Sequence, residues 1–266
     1  DANLRGEWTV PAGLLDGLGA ARDGKVFYRL RVFDAQGRFD ETEDFSLTLA
    51  MRRPDAAQPH EPERELLRGY GDSSLGFDQS TVDDYCDDIC RVMAHFGADR
   101  LVLVGLSYGS WIATSFAMRH PEKLAGLVLS GGCTGMSEAG PEEREAFRVS
   151  REVPLNAGQV PADFAPAVVK VLAGPDASDQ TREALRASMA AIPASTYRDA
   201  LICFTNPLER FDFARLTMPV LMMTGQHDRL APPAEIRAVA GRIWDQAPQP
   251  DVRFEVIPNA GHVCNV

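Results

Sequence analysis

From residue 81 onward, apolar residues along the chain alternate between two spacings. In STVDDYCDDICRVMAHFG, Val82, Cys86, Ile89, Cys90, Met93 and Phe96 recur three or four apart, as on one face of a helix. Ser80 or Thr81 is placed to cap that helix and Gly97 to end it. LVLV at 101–104 is instead unbroken and short, the pattern of a strand buried on both faces. GLSYGSWIATSFAMRH then turns into a second helix, which Pro121 stops. LAGLVLSGG at 124–132, PVLMMTG at 219–225 and VRFEVIP at 252–258 read as further strands, with PPAEIRAVAGRIW as the helix between the last two. Strand and helix in alternation predict an α/β fold: a mostly parallel central sheet flanked by helices.

About 85 residues between the second and third of these strands carry no comparable apolar run. PADFAPAVVKVL, DQTREALRASMAAI and STYRDALICF read there as helices separated by Pro, Gly and Asp. This predicts a core built from residues 1–133 and 214–266, with a helical lid inserted at 134–213. The lid's Phe164, Tyr197, Phe204, Phe211 and Phe213 either line a pocket or fasten the lid helices to the sheet.

The candidate chemistry sits where the predicted strands end. On a buried parallel sheet, functional groups collect at the carboxyl edge. Ser107, in GLSYGS, follows LVLV by three residues and opens the next helix. Gly105 and Gly109 remove side chains that would collide in a sharp strand–turn–helix bend, and the Tyr108 N–H at the helix start is placed to bind an oxyanion. A serine hydroxyl is a weak nucleophile without a base that is itself oriented by an acid. TGQHDRLAPP supplies Asp228 after the third strand, and PNAGHV supplies His262 after the fourth. The order Ser107, Asp228, His262 is the one expected on this fold. His227 reads as a turn residue, and His60, His95 and His120 as isolated surface or helix-end positions.

From Arg68 to the end, about three-quarters of the chain resembles the α/β-hydrolase superfamily. RGYGDSS, GLSYGS, HPEKLAGLVLSG, GQHDRLAPP and NAGH carry the resemblance. The later part looks most like lid-bearing hydrolases of the 3-oxoadipate enol-lactonase type, with proline iminopeptidase-type enzymes more distant. The resemblance implies a serine hydrolase that cleaves a small carboxylic ester or lactone through an acyl-enzyme, with no metal or organic cofactor. A peptidase or a C–C bond hydrolase on the same triad is an alternative; a peptidase needs an acidic grip for an amino group, for which Glu138, Glu142 and Glu143 are candidates. A ligand-binding protein of the same fold is a second alternative.

The first 65 residues fit this family badly. No His-Gly occurs among them to complete an oxyanion hole. By spacing, FYRLRVFDAQGRF is the replacement: Gln36-Gly37 would precede an oxyanion donor at Arg38, and EDFSLTLAM would be the following helix. Asp16-Gly17-Leu18-Gly19 lies further upstream than the spacing requires. PDAAQPHEPERELL cannot make a central strand, and Leu66 stands where relatives carry an acid, so the character of the chain changes abruptly near residue 66. Four residues follow His262 where relatives continue into a helix, which weakens the expected hold on the histidine loop.

The net charge of −11 argues against a nucleic-acid surface and against docking on anionic lipid. No run of eighteen apolar residues predicts a membrane span. Five cysteines without a C-x-x-C give no disulfide framework or zinc site and suit a reducing, cytoplasmic setting. Nothing in the pattern fixes an oligomeric state.

Overall fold

The computed structural model describes residues 67–71, 73–76, 78–207 and 211–265, and the backbone of four strands between residues 25 and 48. The chain divides into two units, Asp1–Glu63 and Arg64–Val266. That division falls beside the change of character near residue 66.

In the first unit the strands are β1 (Lys25–Tyr28), β2 (Arg31–Phe33), β3 (Phe39–Glu41) and β4 (Phe45–Thr48). β1 pairs antiparallel with β4, Val26 opposite Leu47, and β2 pairs antiparallel with β3. The helix expected over EDFSLTLAM is therefore corrected to a strand. Phe45 and Leu47 alternate with Ser46 and Thr48 at the strand period. The ladder to β1 also uses the backbone groups that a helix would have paired internally. Gln36, Gly37 and Arg38, and Asp16 to Gly19, lie outside the described residues.

The second unit runs α1 (Val82–His95), β5 (Leu101–Leu106), α2 (Tyr108–Arg119), β6 (Leu124–Ser130), α3 (Pro141–Asn156), α4 (Pro161–Leu172), α5 (Asp179–Ala190), α6 (Ala194–Thr205), β7 (Val220–Gly225), α7 (Pro233–Gln246) and β8 (Val252–Ile257). The four strands form one parallel sheet in the order β5-β6-β7-β8. Thr81 is the cap of α1: its hydroxyl accepts from the Asp84 N–H, and the Asp84 carboxylate accepts from the Thr81 N–H at 2.8 Å. Gly97 follows with φ +61°, the left-handed conformation that ends a helix.

One face of this sheet carries the core. Phe116 and Ala117 of α2, Cys86 and Met93 of α1, and Ile236 and Ile243 of α7 pack with Leu127, Leu129, Val220 and Met222 of the strands. Each large side chain buried there contributes about 1.5–3 kcal/mol. Helix α2 is buried from Ser110 through Met118, which fixes its first turn against the ends of β5 and β6. The reading of LVLV as buried on both faces is corrected: Leu101 and Leu103 pack on the core, but Val102 and Val104 are 60% and 65% exposed. Phe96, expected on the core face of α1, is 57% exposed, because it lies past the last helical turn at the C-cap.

Helices α3 to α6 occupy the stretch between β6 and β7 and pack as α3 with α6 and α4 with α5. Helix α3 opens on Pro141 with Glu142 and Glu143 in its first turn, and it continues through Pro154. No helix among the described residues is long and apolar enough to cross a membrane. None of the five cysteines forms a disulfide bond among the described residues.

Candidate active site

Ser107 stands between β5 and α2 with φ 54° and ψ −114°. A non-glycine residue in that conformation stores about 1–3 kcal/mol of strain and persists only where its surroundings enforce it. The enforcement is visible in the backbone. The Ser107 N–H donates to Ser130 O at 2.8 Å across to β6, and Ser107 O accepts from the Ser110 N–H at 2.9 Å and the Ser110 hydroxyl at 2.5 Å. A Cβ on Gly105 would land on the backbone of Gly109, so the glycine before the serine is required by close approach. The expectation for Gly109 is corrected, because a Cβ there meets nothing within 4 Å. Tyr108 is the first residue of α2, so its N–H belongs to the group that has no acceptor inside the helix.

His262 and Asp228 meet. His262 Nδ1 lies 2.8 Å from Asp228 Oδ2, and both side chains are buried. Asp228 Oδ1 accepts from the N–H groups of Leu230 at 2.8 Å and Ala231 at 2.9 Å, and the Thr224 hydroxyl lies 3.1 Å from Oδ2. Burial on its own raises the carboxyl pKa. The hydrogen bonds from His262 and the Ala231 and Leu230 N–H groups outweigh it, and the net direction is down. With Nδ1 committed to the carboxylate, the other ring nitrogen, Nε2, is buried and has no hydrogen-bond partner among the described residues.

Ser107 and His262 are not joined by a hydrogen bond. They are neighbours through the glycine pair that ends β6. Gly131, at φ +59°, lies so close that a Cβ would approach the His262 ring to 3.1 Å. A Cβ on Gly132 would approach Ser107 O to 3.4 Å and the Ser110 hydroxyl more closely still. Sequence reading missed this pair by absorbing SGG into the strand, although two consecutive glycines after a buried run are a signal of close backbone approach. It also missed Thr224, whose position four residues before Asp228 gave no sign of the contact.

The histidine loop is held more firmly than the few residues after it suggested. The Val263 N–H donates to Leu172 O at the end of α4, and the His227 N–H donates to Ala260 O. Backbone of Gly261 packs so closely on Gly174 that neither position has room for a Cβ. His227 itself is an exposed turn residue, as expected. His95 closes α1 and His120 follows α2, while His60 lies outside the described residues.

Aromatic rings from α2 and α6 meet beside the serine. Phe204 lies edge-on to Tyr108 at 5.5 Å and to Trp111 at 5.4 Å, and Phe147 joins it at 5.9 Å. Phe164 instead pairs with Tyr197, and Phe213 is fully buried in the sheet core with Phe211 stacked on it. Burial pushes the Tyr108 hydroxyl far up, so it is a neutral ring wall rather than a base. Burial likewise pushes the Cys133 thiol up to about 12, which removes it as a competing nucleophile. Glu138 is engaged with the Arg242 guanidinium at 2.9 Å and 2.5 Å, and Glu142 and Glu143 lie exposed at the start of α3.

The chain is similar to several known proteins. The chain is 25% identical over 205 residues to the "Putative carbamate hydrolase RutD" of Cronobacter turicensis, covering 75% of this chain and 73% of that one. A malate-bound thermophilic esterase from Thermogutta terrifontis is 28% identical, with a TM-score of 0.64 over 74% of this chain and 70% of its own. The enol-lactonase of Burkholderia xenovorans LB400, at 19% identity and a TM-score of 0.60 over 75% of this chain and 73% of its own, shares the fold. A family described as "alpha/beta hydrolase fold" matches residues 67–265, about three-quarters of the sequence, and the chain belongs to that family.

Proposed function

We propose that this α/β-hydrolase is a serine hydrolase of small carboxylic esters or lactones, with Ser107 as nucleophile, His262 as base and Asp228 as the acid that orients it. The observation that carries this reading is the pairing of His262 Nδ1 with buried Asp228, which leaves Nε2 as an unpartnered acceptor next to a strained serine. Ser107 Oγ attacks the substrate carbonyl and gives its proton to His262 Nε2. Asp228 holds the imidazole in the Nδ1–H tautomer and stabilises the imidazolium. The Tyr108 N–H donates to the developing oxyanion. Collapse expels the alkoxide, which takes the proton from His262, and leaves an acyl group on Ser107. Water, deprotonated by the same nitrogen, then releases the acid. The separation of serine and imidazole is compatible with this course, since such contacts tighten when substrate binds.

Phe204, resting on Tyr108 and Trp111 with Phe147 against it, fits an apolar roof for the acyl or alcohol portion, and helices α3 to α6 fit a lid. The named relatives, an esterase and a carbamate hydrolase, share attack on a carbonyl that bears a heteroatom leaving group. Of the three glutamates offered to a peptidase, Glu138 is committed to Arg242, and Glu142 and Glu143 lie exposed at the start of α3.

Labelling with a fluorophosphonate and peptide mapping tests the proposal. Stoichiometric modification at Ser107, lost in His262→Ala, is the expected result, followed by turnover of aryl esters or lactones in preference to prolyl arylamides. A folded protein that takes no label overturns it in favour of ligand binding without turnover.

A further inference from the structure

Away from Ser107, the chain holds a concave feature lined by cations that the proposed reaction does not use. A cleft of about 470 Å³ opens between the end of α4, the following turn and the loop after β7. Its lining includes Lys170, Arg182 and Arg229, together with His227 and Asp228. Ser107, Tyr108 and His262 do not line it. The Asp228 side chain is fully buried and faces His262, Thr224 and two backbone N–H groups, so its negative charge is already engaged.

The remaining charges are cationic and unpaired. Lys170 and Arg229 are exposed and have no carboxylate partner among the described residues. Arg182 is tethered by Nε to Ala177 O at 3.2 Å and by Nη2 to Gly174 O at 2.8 Å. That fixes the guanidinium without neutralising it and leaves Nη1 unpaired among the described residues. Elsewhere Arg148, Arg186 and Arg242 are paired with Glu145, Glu183 and Glu138, whereas Arg144 and Arg151 donate to backbone carbonyls. What sets Lys170, Arg182 and Arg229 apart is that all three line one cavity, in a chain whose net charge is −11. Convergent cations concentrate potential within a cleft, and a tethered guanidinium loses little entropy on binding an anion. The volume suits a small molecule and not a polypeptide segment.

We propose that this cleft binds a small polyanion carrying at least two carboxylate or phosphate groups, at a site distinct from the nucleophile. Its walls are the same two segments that hold the catalytic candidates. Leu172 O receives the Val263 N–H, Gly174 packs on Gly261, and the loop of His227 and Arg229 carries Asp228. An occupant that bridges Arg182 and Lys170 to Arg229 ties the α4–α5 turn to the Asp228 loop.

Isothermal titration with citrate and, separately, with pyrophosphate at fixed ionic strength tests the site, using the full chain and no substrate. The expected result is saturable 1:1 binding of at least one of the two, with the ratio of their affinities telling a carboxylate ligand from a phosphate ligand. Lys170→Glu and Arg229→Glu, both at exposed positions, are each expected to weaken that binding at least about tenfold, or 1.4 kcal/mol. Binding that both variants leave unchanged, or no binding of either anion up to about 10 mM, overturns the proposal. The titration reads binding and not turnover, so its outcome is independent of whether Ser107 reacts.

Discussion

His262 reaches Asp228 through Nδ1 at 2.8 Å, and the carboxylate it touches takes three more hydrogen-bond donors from its own loop and strand. A carboxylate held this way orients the imidazole, and an amide in its place would not. Asp228→Asn is expected to present an N–H to Nδ1 or to lose that contact, which favours the tautomer with its proton on Nε2. Ester turnover should fall by about 10³–10⁴, chiefly in kcat, while the circular dichroism spectrum is retained. Steady-state kinetics on an aryl ester measure this, and a loss confined to KM would count against the role given to Asp228.

The same contact makes a pH prediction. The folded carboxyl pKa of Asp228 lies below its unfolded value of about 3.9, so the unfolded state binds the proton more readily. The stabilisation is complete above the unfolded pKa and is lost as pH falls through the folded one. Wild type should therefore exceed Asp228→Asn in unfolding free energy near neutrality. The difference should shrink as urea titrations move from pH 6 toward and below about pH 4. A gap that widens on acidification would contradict the assignment of the shift.

How much of this was open to a reader of the sequence can be judged residue by residue. Ser107, Asp228 and His262 each lie just past a strong apolar run, so strand ends, together with the GLSYGS turn and the order of the three residues, pointed to them. The helix over 82–95 announced itself by spacing and cap. What stayed hidden depends on contacts between segments far apart in the chain. Val102 and Val104 look like core in the sequence, and their exposure follows from which face α1, α2 and α7 cover. Gly131 has its meaning only once the histidine loop, about 130 residues later, lies against it, and Gly132 only once the turn of Ser107 and Ser110 does. Phe45 and Leu47 alternate too briefly to distinguish a strand from a helix until β1 pairs with them.

Gly131→Ala probes that hidden contact. At φ +59° the alanine is strained, and its Cβ would stand 3.1 Å from Cε1 and Nδ1 of His262. The imidazole must move by a few tenths of an ångström or the glycine turn must open. Either change displaces the imidazole proposed as base, and small misplacements of a catalytic group cost about 10²-fold in rate. The expected phenotype is a folded protein with a thermal midpoint a few degrees lower, ester turnover reduced about 10²-fold and the KM little changed. Retained wild-type turnover would show that the loop absorbs the methyl group without moving the ring.

The two glycines of GLSYGS are expected to behave oppositely. Gly105→Ala places a Cβ on the backbone of Gly109, where no side-chain rotation relieves it, so β5 and α2 must separate at the bend. A loss of about 3 kcal/mol or more is expected, read as a large drop in the urea midpoint or as insoluble protein. Gly109→Ala meets open space in the first turn of a helix, where alanine is favoured over glycine by up to about 1 kcal/mol. It should raise the midpoint or leave it unchanged. If both substitutions destabilise alike, the bend is held by something other than the contact between Gly105 and Gly109. In that case the strain at Ser107 would have to come from its bonds to Ser130 and Ser110 alone.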